Sequence, residues 1–284
     1  MLDLNLVRPV IKRALDEDIG RGDITSQAII PPSSISRAEI VAHEEGVLAG
    51  IEIAKEVFRL LSPRHLVFNN SLKDGDLLSD GKQIMSFEAD TLAILKGERI
   101  ALNFLQRLSG IATLTKKFVD LVSPFGVKIL DTRKTTPNLR ALEKYAVRVG
   151  GGFNHRFGLD DGILIKDNHI KILGGIKRAV EMARRNNHPF LKIEVEVNNI
   201  SQVKEAMESD VDAIMLDNMS EEDIREVVSK IRAQKRKTLI EASGDVNLKN
   251  VENIARTGVD LISVGRLTHS VKSLNINLKI TSER

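Results

Sequence analysis

The 284-residue chain has no cysteine, no tryptophan and a single tyrosine. Without cysteine there is no disulfide framework, thiolate metal site, iron–sulfur cluster or cysteine nucleophile, and the composition is compatible with a reducing compartment. The scarcity of Trp and Tyr leaves few platforms on which nucleic-acid bases could stack. Neither sign of charge dominates, since 42 Lys and Arg face 39 Asp and Glu for a formal charge of +3. On a chain this long, that is no electrostatic footprint for nucleic acid, despite a pI near 9.0. Residues 1–18 carry acids from Asp3 onward and hold no apolar run of the length a signal peptide or membrane helix needs. The expectation is a protein neither secreted nor membrane-spanning, with the cytoplasm as its address. With 42% hydrophobic and 29% charged residues, the chain can build a sizeable core in one large domain or two ordinary ones.

Leu4, Val7, Ile11 and Leu15 recur at helical spacing before Gly20-Arg21-Gly22-Asp23 breaks the pattern, which predicts an amphipathic helix over residues 2–18. From Arg37 to about Glu88, short β-type runs (Ala38–Ala42, Val47–Ala49, Ile84–Phe87) surround an apolar helix from Ile51 to Leu61. Lys73-Asp74-Gly75-Asp76 and Ser79-Asp80-Gly81 supply the turns. Residues 91–122 read as one long helix whose weak points are Gly97 and Gly110, a connector between two domains.

After Pro124 the rhythm becomes regular. Val127–Leu130, Ile163–Ile165, Lys192–Val197, Ala213–Leu216, Thr238–Ala242 and Leu261–Val264 are short apolar or β-branched runs, most of them separated by amphipathic segments of helical length. Repeated βα units argue for parallel strands with helices outside, as an open sheet or a barrel. Each run is followed by chemistry: Asp131, Thr132, Arg133 and Lys134; Lys166 and Asp167; Glu196; Asp217 and Asn218; Ser243 and Gly244; Gly265 and Arg266. Parallel βα architectures open these carboxyl ends onto one functional face. Arg133, Lys134, Arg156 and Lys166 suit a multiply anionic substrate, whereas Glu196 and Asp217 suit sugar hydroxyls or a hard cation such as Mg2+. Glycine turns after the last two strands are places where backbone N–H groups hold phosphate. A phosphorylated sugar with Mg2+ would use both halves.

In chain order, the residues Asp131–Pro137 (DTRKTTP), Gly150–Arg156 (GGGFNHR), Ile165–His169 (IKDNH), Glu194–Val197 (EVEV), Leu216–Asn218 (LDN), Glu241–Gly244 (EASG) and Ser263–Gly265 (SVG) closely resemble the quinolinate phosphoribosyltransferase family. The likeness extends upstream through Glu17–Thr25, Gly46–Gly50 and Glu98–Gln106 and covers nearly the whole chain. It implies an N-terminal α/β sandwich domain over residues 1–110 and an incomplete, about seven-stranded α/β barrel over 111–270. A tail over 271–284 would return to the first domain. The implied reaction joins quinolinate to phosphoribosyl pyrophosphate with Mg2+, giving nicotinic acid mononucleotide, CO2 and pyrophosphate on the de novo route to NAD. Members are homodimers, sometimes assembled further into hexamers, and each active site is completed by the neighbouring subunit.

By position, the resemblance makes Arg99 the arginine donated by that neighbour. Arg133, His155 and Arg156 would hold the quinolinate carboxylates, with Lys166 close to both substrates. Lys134, Glu196 and Asp217 would face phosphoribosyl pyrophosphate and its metal, Glu196 and Asp217 reaching Mg2+ indirectly. Thr132 and the Ser243-Gly244-Asp245 and Gly265-Arg266-Leu267 turns complete the contacts. Chemistry is expected from Lys134, Lys166, Glu196 and Asp217 through positioning and electrostatics, without an acid–base dyad. Asn138 and Asp245 stand where the family has Gly, or Gly or Asn. Glu194 and Glu196 share a face by strand alternation, and Glu196 is nearer the strand end.

The other basic clusters, Arg184-Arg185 and Lys235-Arg236-Lys237, read as solvated surface, and His43, His65 and His188 as structural or exposed. His169 and His269 read as braces of their turns, and the Arg107–Leu108 region as an interface element. Two rival functions are a phosphoribosyltransferase for a monocarboxylate base such as nicotinate, and a nucleic-acid-binding protein. Four cations at the site favour a dicarboxylate over the first, and strand-end charges directed inward give the second no purpose.

Overall fold

The strand runs and helix stripes read from the sequence recur, with ends shifted by up to three residues, in a computed structural model that describes residues 3–62, 64–234 and 237–283. Lys235 and Arg236 lie outside the described residues. Two units are formed, one from residues 1–116, 135–151 and 270–284, the other from residues 117–134 and 152–269. None of the described helices is long and apolar enough to cross a membrane.

The first unit holds a four-stranded antiparallel sheet in the order Ile276–Glu283, Ile35–Ala42, Gln83–Asp90, Leu66–Ser71. The helix Leu4–Ile19 starts at Asp3, whose side chain accepts from the Asn5 N–H, and buries Val7, Ile11 and Leu15 on one stripe. In Ile51–Leu61, the buried face includes Ile53, Val57 and Phe58. The Phe58 ring packs on Phe87 of the sheet at 4.5 Å between centroids, and Phe68 joins at 6.0 Å. Asn138 takes φ 65°, in the left-handed region that asparagine tolerates better than most side chains. Arg107 is committed within this unit, its guanidinium donating to Glu143 at 2.6 and 2.8 Å and to Thr136 at 2.8 Å. His43 and His65 each lie beside an acid, at 3.5 Å from Asp80 and 3.9 Å from Glu88.

The long helix spans Thr91–Val122 as expected, but Gly110 is more than a weak point of helix propensity. A Cβ there would lie 2.3 Å from the Lys272 carbonyl oxygen, so this glycine permits a backbone-to-backbone approach.

The second unit is a parallel sheet of six strands, Lys128–Leu130, Ile163–Ile165, Ile193–Val197, Ala213–Asp217, Leu239–Ser243 and Leu261–Ser263, in the spatial order first, sixth, fifth, fourth, third, second. A single parallel bridge from Leu130 to Phe153 adds the seventh position on the free side of the first strand, giving an incomplete α/β barrel. The helices follow the macrodipole logic. Glu221–Arg232 begins at Ser220, which caps Asp223, carries Glu221, Glu222 and Asp223 in its first turn, and ends on Lys230 and Arg232. Arg184 and Arg185 occupy the last turn of Ile176–Asn186, and both are exposed.

Helix propensity predicts that Gly110→Ala gains about 1 kcal/mol, whereas the close approach predicts a loss of about 1–3 kcal/mol from overpacking. We expect the loss, seen as a lower Tm in a thermal melt. An unchanged or raised Tm would show that the contact yields.

Candidate active site

At the carboxyl ends of the six strands lies a cavity of about 440 Å3. Its wall is assembled loop by loop. After the first strand, Asp131 is fully buried and turns back to accept from the His155 N–H at 2.9 Å and the Asn154 amide at 2.5 Å, fixing the segment that carries His155 and Arg156. Thr132 accepts from the Lys134 N–H at 3.0 Å, and the Thr268 hydroxyl donates to the Lys134 carbonyl at 2.7 Å. After the second strand, the Lys166 N–H donates to Nδ1 of His169 at 2.9 Å, so His169 closes the turn it was read to brace.

The cavity is lined by Thr132, Arg133, Lys134, His155, Arg156, Lys166, Glu196, Asp217, Ser243, Gly244, Asp245, Gly265 and Arg266. These are all expected site residues. Leu267 does not line it, being packed in the core. Arg99 is exposed on the long helix of the other unit. Leu164, Met215, Asn218, Val246, Ser263 and His269 also line the cavity and were not read as site residues. Leu164, Met215 and Ser263 were hidden because they belong to strands whose facing is set only by closure of the sheet.

Opposite charges meet at one point and like charges at another. Lys166 Nζ is 2.8 Å from Glu196 Oε2. Arg156 donates to the Gly162 carbonyl at 2.9 Å, and burial together with the nearby Arg133 charge lowers its pKa, partly offset by Glu194. Two guanidinium groups that repel one another bind an anion more favourably than either alone. Gly244 has φ +94°, and a Cβ there would sit 2.1 Å from Asn218 Oδ1. Its neighbours Asn218 (φ 53°) and Asp245 (φ 38°) are left-handed without being glycine, so backbone strain is concentrated at the rim.

Beneath this layer, Glu194 and Glu241 face His155, whose Nε2 is 3.0 Å from Glu194 and 3.6 Å from Glu241. By spacing alone this group could coordinate a divalent ion. However, Nδ1 of His155 accepts from the Arg156 N–H at 2.8 Å, which assigns the remaining ring proton to Nε2, facing the carboxylates. In this form the group is a hydrogen-bonded acid pair with no metal-ligating nitrogen. Burial, then the Glu194 charge, push the pKa of Glu241 up to about 8.

A cationic, water-accessible mouth on a parallel α/β barrel, with carboxylates on the facing wall, defines an enzyme for multiply anionic substrates. The chain belongs to the quinolinate phosphoribosyltransferase family, whose N-terminal-domain model matches residues 23–109 and whose C-terminal-domain model matches residues 111–279. It is 48% identical over 265 residues to the Bacillus subtilis protein described as "Probable nicotinate-nucleotide pyrophosphorylase (carboxylating)", covering 93% of this chain and 90% of that one. A Methanocaldococcus jannaschii protein of the same description is 42% identical over 281 residues, covering 95% and 96%. Among solved structures, the nicotinate-nucleotide pyrophosphorylase of Francisella tularensis superposes with a TM-score of 0.93 at 39% identity, covering 99% and 98%.

Removing the fully buried Asp131 carboxylate takes the acceptor from two part-buried hydrogen bonds, those of the His155 N–H and the Asn154 amide. Asp131→Ala should lower stability by about 1–3 kcal/mol, read as a lower urea midpoint at unchanged m-value. Unchanged stability would mean that the His155 segment is held by other contacts.

Proposed function

We propose that the chain transfers the phosphoribosyl group of phosphoribosyl pyrophosphate to the ring nitrogen of quinolinate and releases CO2, forming nicotinic acid mononucleotide and pyrophosphate. The observation that carries this reading is the pairing of Arg133 with Arg156 at the cavity, where burial and repulsion already lower the Arg156 pKa. A dicarboxylate relieves that repulsion, whereas a monocarboxylate leaves part of it standing. Arg133, Arg156 and Lys166 orient the two carboxylates and present the ring nitrogen to the anomeric carbon. Bond breaking to pyrophosphate runs ahead of bond making, and positive charge develops on the ribose. Glu196 and Asp217 stabilise that charge, while Lys134 and Arg266 stabilise the leaving pyrophosphate. Once the nitrogen is quaternised, it takes up the electrons left when the adjacent carboxylate departs as CO2.

The donor set fits Mg2+ carried in with phosphoribosyl pyrophosphate. Glu196 and Asp217 offer hard oxygens on the cavity wall, with space for water and phosphate between. When bound, Mg2+ would neutralise phosphate charge as a Lewis acid. Ser243, Gly244, Asp245, Gly265 and Arg266 lie where phosphate oxygens would be received, and Asn218 and His269 belong with them. The enzyme works in the cytoplasm as a homodimer, and each subunit lends Arg99 from its long helix to the other's site. We assign the chain's domains as residues 1–110, 111–270 and the tail 271–284.

Purified protein with quinolinate, phosphoribosyl pyrophosphate and Mg2+ should yield CO2 and nicotinic acid mononucleotide one to one, with nicotinate inert in its place. Turnover of nicotinate alone would move the protein to the monocarboxylate activity. Arg133→Ala should lose about 1.5–3 kcal/mol of transition-state binding, roughly 10- to 150-fold in kcat/KM. Mixing the impaired Arg99→Ala and Arg133→Ala subunits should raise the activity above that of either alone, because mixed dimers contain one intact site. No recovery after subunit exchange would remove Arg99 from the neighbour's site.

A further inference from the structure

The large cavity at the carboxyl ends of the strands has a smaller counterpart below it. A second cavity of about 200 Å3 lies at the other ends of the same strands, walled by apolar side chains such as Ile193, Ala213, Leu239 and Leu261. His155 and Arg156 line both cavities and form the partition between them. Glu241 lines the lower cavity and is 1% exposed, and Ser263 beside it lines the upper one. Oε1 of Glu241, Oε1 of Glu194 and Oγ of Ser263 are buried, and none meets a protein partner at full hydrogen-bonding distance. Left unsatisfied, each buried polar atom is costly, and water is the group that ordinarily satisfies such atoms. A polar thread therefore crosses an otherwise apolar barrel interior.

The reaction proposed above, on which this inference rests, needs such a thread. Loss of CO2 breaks a carbon–carbon bond, leaves its electron pair on the ring carbon, and consumes one proton there to make the new C–H bond. With both substrates bound, polyanionic groups occupy the upper cavity, so a proton coming from that side has to pass them. We propose that this proton enters along the barrel axis from the opposite face, held on Glu241 and passed through the Ser263 hydroxyl into the active-site cavity. Ser263 gives its own proton and takes that of Glu241, which is left as a carboxylate beside the His155 Nε2–H. The Glu194 charge then favours reloading of Glu241 from solvent through the lower cavity. The ionisable groups facing Glu241 are Glu194, His155 and Arg156, with Lys192 and Asp212 at the lower mouth. Their balance keeps Glu241 protonated until the pH passes about 8.

The test compares Glu241→Gln, Glu241→Asp and Ser263→Ala with the wild type, measuring pyrophosphate and CO2 separately. The wild type should release them one to one, its CO2 rate falling as pH rises through about 8. In Glu241→Gln and Ser263→Ala, CO2 release should fall on the order of 10²-fold at unchanged KM for both substrates. Pyrophosphate should then exceed CO2, undecarboxylated mononucleotide should accumulate, and the alkaline limb should be lost in Glu241→Gln. Glu241→Asp, which keeps a proton, should stay near one to one. If Glu241→Gln and Ser263→Ala keep equal yields at the wild-type rate, or lose activity through KM alone, the relay is overturned. A wild type that makes no CO2 from quinolinate would overturn the functional reading itself, and the relay with it.

Discussion

Side chains along a β-strand alternate, and in a parallel barrel every strand runs the same way; these two facts fix where the polar groups can go. Glu194 and Glu196 are two residues apart on one strand, so both point to the interior, and only depth separates them. Glu196 reaches the strand ends and pairs with Lys166, while Glu194, one step deeper, meets His155. On Leu239–Ser243 the same step separates Glu241 from Ser243, and on Leu261–Ser263 it separates Leu261 from Ser263. The substrate-facing layer and the acid layer beneath it are thus one pattern read at two heights, and the charge on one level is felt at the other.

The strand ends were legible because each carries its chemistry in the residues that immediately follow an apolar run, which is a local signal. Asp131 through Lys134, Lys166, Asp217 and Gly265 could be found that way, and the family resemblance supplied roles for them. Glu241 lies within Glu-Ala-Ser-Gly, and nothing in that tetrapeptide says that the glutamate faces a histidine from another loop. Gly110 was misjudged for the same reason: its importance lies in the Lys272 carbonyl, which is far away in sequence. For Arg107 nothing in the sequence pointed to its partners within the chain, Glu143 and Thr136, which engage its guanidinium. Leu267 follows the cavity-lining Gly265 and Arg266 in the chain, yet the short helix Arg266–His269 turns it into the core.

Asp131 shows how the site is kept rigid without rigid loops. The segment carrying His155 and Arg156 meets the sheet through a bridge at Phe153, and the buried Asp131 carboxylate ties both Asn154 and the His155 N–H to the end of the first strand. Placing that acid at the end of the neighbouring strand means that packing of the sheet positions the binding groups, and the entropy of ordering the segment is met before substrate arrives.

The strand Ile276–Glu283 pairs along Ile35–Ala42, some two hundred residues earlier in the chain. During synthesis at about 5–20 residues per second, Ile35–Ala42 therefore waits on the order of 10–50 s with one edge unpaired. An open strand edge is a template for other chains. The nascent protein thus passes through a period in which its first unit is most exposed to mispairing while its barrel is still being made, and its yield in the cell is tied to how fast translation reaches the closing strand.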